Sequence, residues 1–408
     1  MTIHYFLYRI VTMYIKRLIL KDLCNDIFQR HINILIGARQ VGKSFLMRQV
    51  EEEAKRARLK TAYFDLEQPQ DLSKLTGSDG YVIKVLGESG DVVFLDEFHY
   101  LENSSKLLKA IYDSGKKVKL YASGSSSLEI HKHLKESLAG RKLLNYIFPC
   151  ALREIGQVMI HETFSYYCQY GGMPGIIHAA DADKRKMLLA DIAQSYLLKD
   201  VKSLIREENI RAFNHLLYLL AQYQGSVVPT SNFAREVGMT AKTIEAYLEI
   251  MAQTFVCFPL ASFSKNYGNE LKKSKKYFLY DLGIRNALLR NFAPWEQRND
   301  AGAIIESFVF GELQKQLSPE TEIRFWRLKD GTEVDFIWIK NQTPYPIEVK
   351  ASVKIGDIPK GLTAFLKKYP LTQKAFVVSK NTQGQITFNN IRIIYKKCEE
   401  AFSIPEEV

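Results

Sequence analysis

Eight consecutive residues, Gly37-Ala38-Arg39-Gln40-Val41-Gly42-Lys43-Ser44, fit the pattern G-x-x-x-x-G-K-[ST], and no other stretch constrains the fold of this chain as tightly. Such a loop works only between a strand and a helix. Its glycines let successive backbone N–H groups curl around the phosphates of a nucleoside triphosphate such as ATP. Lys43 is placed to reach the terminal phosphates and Ser44 to hold magnesium, while the following helix points its positive end at the anion. The flanks supply both elements. Asn33-Ile34-Leu35-Ile36 reads as a buried parallel strand, and Phe45, Leu46, Gln49 and Val50 continue at helical spacing.

Further along, Asp91-Val92-Val93-Phe94-Leu95-Asp96-Glu97 gives four apolar residues ending in two acids, as a Walker B strand does. Asp96 is expected to hold the magnesium through water and Glu97 to polarise the attacking water, because phosphoryl transfer depends mostly on positioning and charge stabilisation. A third strand, Val118 to Ala122, runs into Ser123-Gly124-Ser125-Ser126-Ser127. Ser123 or Ser125 can sense the terminal phosphate, or the serines can cap the helix that starts near Leu128; the two uses are compatible. In Leu138-Ala139-Gly140-Arg141 the arginine is a candidate finger onto a phosphate of its own or a neighbouring subunit, or a plain surface arginine.

At 408 residues the chain is too long for one core. The pattern divides it into an N-terminal segment (1–30), a P-loop core (31–150), a helical lid (151–212), a winged-helix-like module (213–290) and a final α/β domain (291–408). Five cysteines, odd in number and never in C-x-x-C pairs, read as reduced thiols in a cytoplasmic protein. No stretch reaches the roughly 18 uninterrupted apolar residues that span a bilayer. Met1 to Leu20 is interrupted by Arg9, Lys16 and Arg17 and has no small-residue cleavage site, so it reads as neither signal peptide nor anchor. Met13 makes a natural alternative start, which marks residues 1–12 as a candidate upstream extension.

The formal charge of +11 and pI near 9.1 point to a polyanionic partner, DNA or another nucleic acid. Lys265, Lys272, Lys273, Lys275 and Lys276 crowd into one segment with Tyr267 and Tyr277. It follows a helix-turn-helix pattern: a short helix over Thr230 to Val237 closed by Gly238, then Thr240 capping a second helix to about Gln253. Ile244, Tyr247, Leu248 and Met251 form the inward stripe of that second helix, and Lys242, Thr243 and Glu245 its outer face. The lysine-rich stretch is expected to serve as the wing, on DNA phosphates or as a protein contact; Glu245 and Glu249 count against DNA.

The last hundred residues hold a second chemical pattern. Glu333-Val334-Asp335-Phe336-Ile337-Trp338 alternates like a half-buried strand, and Pro346-Ile347-Glu348-Val349-Lys350 follows a turn at Asn341 to Pro344. Residues two apart share a face of a strand, so Glu348 and Lys350 point the same way. On neighbouring strands Asp335 and Glu348 can share a divalent ion, with Glu306, on a helix over Ile304 to Gln314, completing the site. Lys350 then orients or helps deprotonate a metal-bound water. Oxygen donors of this kind suit magnesium or manganese.

This last arrangement resembles the PD-(D/E)xK restriction-endonuclease-like fold. Taken with the P-loop, Phe94 to Glu97, Leu138 to Arg141, Tyr170-Gly171-Gly172-Met173-Pro174, Phe278-Leu279-Tyr280-Asp281 and Gly331 to Asp335, the chain resembles prokaryotic AAA-type ATPases that join a P-loop domain to a C-terminal domain of unknown function with endonuclease-like features. The resemblance implies ATP binding and hydrolysis. The expected architecture is α/β: a P-loop NTPase parallel sheet with a helical lid, then a winged helix and a restriction-endonuclease-like domain. The expected activity is ATP-driven action on DNA; a nucleotide switch without nuclease activity, controlling a partner, is the alternative. A homo-oligomer is compatible with either.

Overall fold

The computed structural model describes residues 14–124, 138–159, 162–202, 209–264 and 275–408, with side chains throughout except at 195–202. They fall into two compact units, one of residues 1–150 with 173–175 and 253–256, the other of the remainder.

The first unit is built on a five-stranded sheet in the order β2-β3-β4-β1-β5. Its strands are β1 (Ile32–Ile36), β2 (Thr61–Asp65), β3 (Val92–Asp96), β4 (Lys119–Gly124) and β5 (Lys142–Tyr146), all parallel. The three inner strands are buried along their whole length, as strands covered on both faces must be, which is why they read as continuous apolar runs. The polar exception in β1, Asn33, has its bonds made: its side-chain oxygen accepts from Lys119 Nζ at 2.7 Å and its amide donates to Asp26 at 2.8 Å. The helix Lys43–Arg56 that follows β1 lays Leu46, Met47, Val50 and Ala54 against the sheet. Tyr63, Phe94 and Tyr121 share a row across β2, β3 and β4 and stack at 5.8 and 5.3 Å. Because every strand runs the same way, the ends that carry the P-loop and Asp96 lie on one edge of the sheet.

In the second unit the helices Ile210–Gln222, Thr230–Val237 and Ala241–Gln253 are followed by an antiparallel ribbon of β6 (Cys257–Leu260) and β7 (Lys276–Leu279). The helix Thr230–Val237 ends at Gly238 in the left-handed region (φ 74°), and Thr240 Oγ1 accepts the Thr243 N–H at the start of the next helix. Ile244, Tyr247, Leu248 and Met251 are buried and Lys242 and Glu245 exposed.

The C-terminal part of this unit is a mixed sheet in the order β12-β13-β11-β10-β9-β8. β8 (Thr321–Arg327), β9 (Glu333–Lys340) and β10 (Thr343–Val349) form an antiparallel meander. The β9–β10 turn is only Asn341-Gln342, both at positive φ (48° and 64°), as tight hairpins require. A helix, Lys360–Lys368, then carries the chain to β11 (Lys374–Ser379), parallel to β10; β12 (Gly384–Phe388) and β13 (Ile391–Lys397) complete the sheet. One face packs Trp326, Val334, Ile337, Leu362 and Phe365 together. On the helix Ala301–Gln314 eight residues are buried, among them Ile304, Ile305, Phe308 and Phe310.

All five cysteines carry free thiols, four of them buried. Among the described residues no helix is long and apolar enough to cross a membrane.

Candidate functional site

The P-loop leaves β1 at Gly37, where a side chain has no room: an added Cβ would stand 2.1 Å from the Ile147 carbonyl oxygen. Gln40 and Gly42 take positive φ (61° and 93°), which curls the loop before the helix begins at Lys43. Lys43 is buried, and its ammonium donates to the Gly37 and Ala38 carbonyls at 3.1 and 3.0 Å, so it is held inside the loop it serves. A second cation braces the loop from outside. The buried Arg17 donates from Nη1 to Val41 O at 2.8 Å and from Nη2 to Phe148 O at 2.7 Å.

Asp96, at the end of β3, is buried with both oxygens engaged: Oδ2 accepts from the Tyr63 hydroxyl at 2.7 Å and Oδ1 from Ser123 Oγ. Burial and the Asp96 charge hold the Tyr63 phenol far above its usual value, so it stays a donor. Ser123 Oγ also accepts the Glu97 N–H at 3.2 Å. Glu97 itself stands at φ 51°, an unusual backbone for glutamate, with its carboxylate 3.3 Å from His99 Nδ1. Arg39, Gln40, Lys43, Ser44, Glu97 and His99 line a cleft of about 410 Å³.

Ser125 lies outside the described residues. Arg141 is at the wrong edge: β5 pairs with β1 from Ile32↔Lys142 to Ile36↔Tyr146, which leaves Arg141 at the opposite end of the strands from the P-loop. Six residues of extended chain between Arg141 and Ile147 amount to roughly 20 Å. Its guanidinium is paired with Asp113 at 2.8 and 3.1 Å, so it does not serve as a finger onto the phosphates of its own subunit.

In the second unit, β8 spends two steps between Arg324 and Trp326 where β9 spends three between Ile337 and Val334. This bulge inserts one residue beside Asp335, and bulges re-aim side chains. Val334 and Ile337 therefore share the core face, while Phe336 turns to Phe278 and Phe310. Asp335 is buried and its Oδ2 accepts the Val349 N–H at 2.8 Å; Glu348 is buried beside it, with Lys350 Nζ 2.6 Å from its Oε1. Burial raises the Asp335 and Glu348 carboxyls, partly opposed by lysine charge; Lys276 counts most at Asp335, and at Glu348 the Asp335 charge adds to the rise against Lys350. Glu348 Oε2 is buried without a hydrogen-bond partner.

Glu306 faces the same cluster, but its carboxylate is held by a lysine the sequence reading assigned elsewhere. Lys276 is 1% exposed and its Nζ lies 3.0 Å from Glu306 Oε1. It is a core residue of β7, not a wing lysine, because the apolar strand Lys276–Leu279 carries it inside. Of the other wing residues, Lys275 is exposed and Tyr277 half-buried, while Lys265, Tyr267, Lys272 and Lys273 lie outside the described residues. No group of three carboxylate, imidazole or thiol side chains that could hold a metal ion occurs among the described residues.

Residues 29–156 match the model of a family described as an AAA domain. The match spans the P-loop, all five strands of the parallel sheet and Asp96. Residues 161–294 and 301–398 match two further models, each described as a domain of unknown function (DUF8612 and DUF4143). An uncharacterized protein of Mycobacterium tuberculosis is 24% identical over 320 residues, covering 78% of this chain and 69% of its own length. One from Methanocaldococcus jannaschii is 23% identical over 343 residues, covering 79% and 75%. Among solved structures, AMPPCP-bound DnaA from Aquifex aeolicus covers 57% of this chain and 85% of its own at 12% identity and a TM-score of 0.31. Cdc6p from Pyrobaculum aerophilum covers 70% and 97% at 13% identity and 0.26.

Arg17, Tyr63 and Lys276 are the residues around these sites that sequence reasoning missed. In the sequence Arg17 is no more than a break in an apolar stretch. For Tyr63 the available signal was a polar-tipped aromatic one strand over from the Walker B strand.

Proposed function

We propose that the AAA domain binds ATP with magnesium and hydrolyses it, and that the chain acts on DNA through its second unit. The observation that carries the first part is the convergence of Lys43, Ser44 and Glu97 on one cleft, with Asp96 at the end of β3 immediately before Glu97. Lys43 moves from the loop carbonyls to the terminal phosphates, where its charge is needed. The donor set fits magnesium: Ser44 offers a hydroxyl, and Asp96, both of whose oxygens already accept O–H donors, suits contact through water. The ion neutralises phosphate charge when bound. Glu97, fixed at its backbone by Ser123, orients the attacking water.

For the second part, the support is local. Asp335 on β9 and Glu348 with Lys350 at the end of the neighbouring β10 give the acid on one strand and the E-x-K on the next that an endonuclease-like site uses. Asp335 and Glu348 offer hard oxygen donors, and the unpartnered Glu348 Oε2 fits a magnesium or manganese ion, since buried carboxylate oxygens ordinarily have partners. Lys350 then stabilises charge on a phosphate. The helix-turn-helix and ribbon at 210–279 support a winged-helix module contacting DNA backbone.

A non-nucleolytic nucleotide switch is the second reading, and the Lys276–Glu306 pair favours it, since Glu306 is engaged. Purified protein is assayed for ATP turnover and for cleavage of plasmid and single-stranded DNA with magnesium or manganese, beside Lys350→Ala. Cutting by wild type alone supports the nuclease. ATP turnover without cutting selects the switch, and absence of ATP turnover refutes the first part.

A further inference from the structure

Lysine is seldom sealed inside a protein unless it is paired, and Lys276 is sealed in by three acids drawn from two different elements. Its ammonium touches Glu306 on the helix Ala301–Gln314 at 3.0 Å and approaches Glu333 of β9 at 3.7 Å. Asp335 of β9 also acts on it through space. Glu306 has little freedom to leave. The backbone at Gly225 stands against its other oxygen, so that an added Cβ there would come within 3.2 Å of Glu306 Oε2.

The acids of the cluster therefore divide into two groups. Glu306 belongs to Lys276, and Glu333 is shared between Lys276 and Arg327, whose Nη1 lies 3.3 Å from its Oε2. Glu348 is paired with Lys350, whose side chain is 44% exposed and so can move aside, and it keeps one buried oxygen without a partner. Asp335 gives one oxygen to the Val349 N–H. A divalent cation and a buried ammonium compete for the same oxygens and repel each other.

We infer that Lys276 is an internal cation that closes the Glu306 side of this cluster to divalent metal, leaving Asp335 and Glu348 as the carboxylates that a single ion reaches. This rests on the reading of Asp335 and Glu348 as a metal site. Lys276 is then a positioning residue: it sets how many carboxylates the ion receives and how tightly it is held.

The test is Mn²⁺ binding to the full chain without nucleotide, followed by the electron paramagnetic resonance of free Mn²⁺. Lys276→Met keeps the length of the side chain and removes the charge. It is expected to bind Mn²⁺ at least tenfold more tightly than wild type, with the gain abolished by adding Asp335→Asn. A Lys276→Met protein that melts like wild type yet binds Mn²⁺ no more tightly overturns the inference and leaves the metal-site reading standing. Binding by neither protein refutes the metal-site reading, and the inference with it. Should Lys276→Met fail to fold, Glu306→Gln decides. Affinity within twofold of wild type is expected, whereas a tenfold loss shows that Glu306 ligates the ion and overturns the inference.

Discussion

Replacing Arg17 with alanine removes a guanidinium that holds two backbone carbonyls, Val41 O inside the P-loop at 2.8 Å and Phe148 O just beyond β5 at 2.7 Å. Hydrogen bonds from a charged donor contribute about 1.5–3 kcal/mol each, and a buried carbonyl left without a donor bears its desolvation cost. The Val41 bond is buried and the Phe148 bond only partly so, which lets water recover some of the second. A net loss of about 2–4 kcal/mol follows, or a fall of roughly 5–15 °C in the melting temperature of a unit this size. Because Val41 precedes Gly42 and Lys43, part of that loss should appear as weaker ATP binding, about tenfold for each 1.4 kcal/mol that falls on the loop. Thermal melts with and without magnesium-ATP, together with an ATP titration, measure both. Arg17→Lys should fall between, since a point-like ammonium spans two carbonyls poorly. An Arg17→Ala protein that melts within 2 °C of wild type and binds ATP equally well refutes the bracing role.

Glu97→Gln keeps the shape of the side chain and its backbone bond to Ser123, so ATP should bind normally while turnover falls by about 10²-fold or more; wild-type turnover would mean another group positions the water. Gly171 sits at φ 74°, ψ −164°, where an added Cβ would meet Asp281 Oδ1 at 2.1 Å. Gly171→Ala should therefore destabilise the second unit by about 3 kcal/mol or more, through strain and the loss of Asp281's bonds to the Gly172 and Ile284 N–H groups. A variant as resistant to urea as wild type would contradict this. At Asp300, burial raises the carboxyl but Arg298 and Arg285 outweigh it and bring it down to about 2. A depressed carboxyl stabilises the fold above its unfolded value and loses that contribution as pH falls, here from about 4 to about 2. With its side chain 32% exposed, screening leaves about 1 kcal/mol. The urea-midpoint gap between wild type and Asp300→Asn should close over that window, and a constant gap would count against it.

Much of the first unit could be read from the chain because its signals are local. The P-loop demands a strand before it and a helix after it, and β1 (Ile32–Ile36) and the helix starting at Lys43 are where those demands put them. The helix-turn-helix was equally legible, since Gly238 and Thr240 stop and start helices by their own chemistry. What escaped depends on contacts distant in sequence. Arg17 reaches carbonyls 24 and 131 residues away. Lys276 looks like one lysine in a basic run until β7 buries it against Glu306, because composition reports charge but not which side of a strand faces the core. The choice at Arg141 between a finger and a surface arginine turns on a related point: a residue near a strand can belong to either edge of a sheet, and the register Ile32↔Lys142 puts it at the edge away from its own P-loop. The bulge beside Asp335 leaves no trace in an alternating pattern. Strand periodicity puts Asp335, Glu348 and Lys350 on neighbouring strands, but it carries no sign of Glu306's engagement with Lys276.

The most direct measurement of the central claim is calorimetric binding of magnesium-ATP to wild type and to Lys43→Ala. The account predicts one ATP per chain for wild type and loss of that binding when the lysine is removed, with both proteins folded. Equal affinity in the two would contradict it, because the P-loop cleft would then not be where the triphosphate is held.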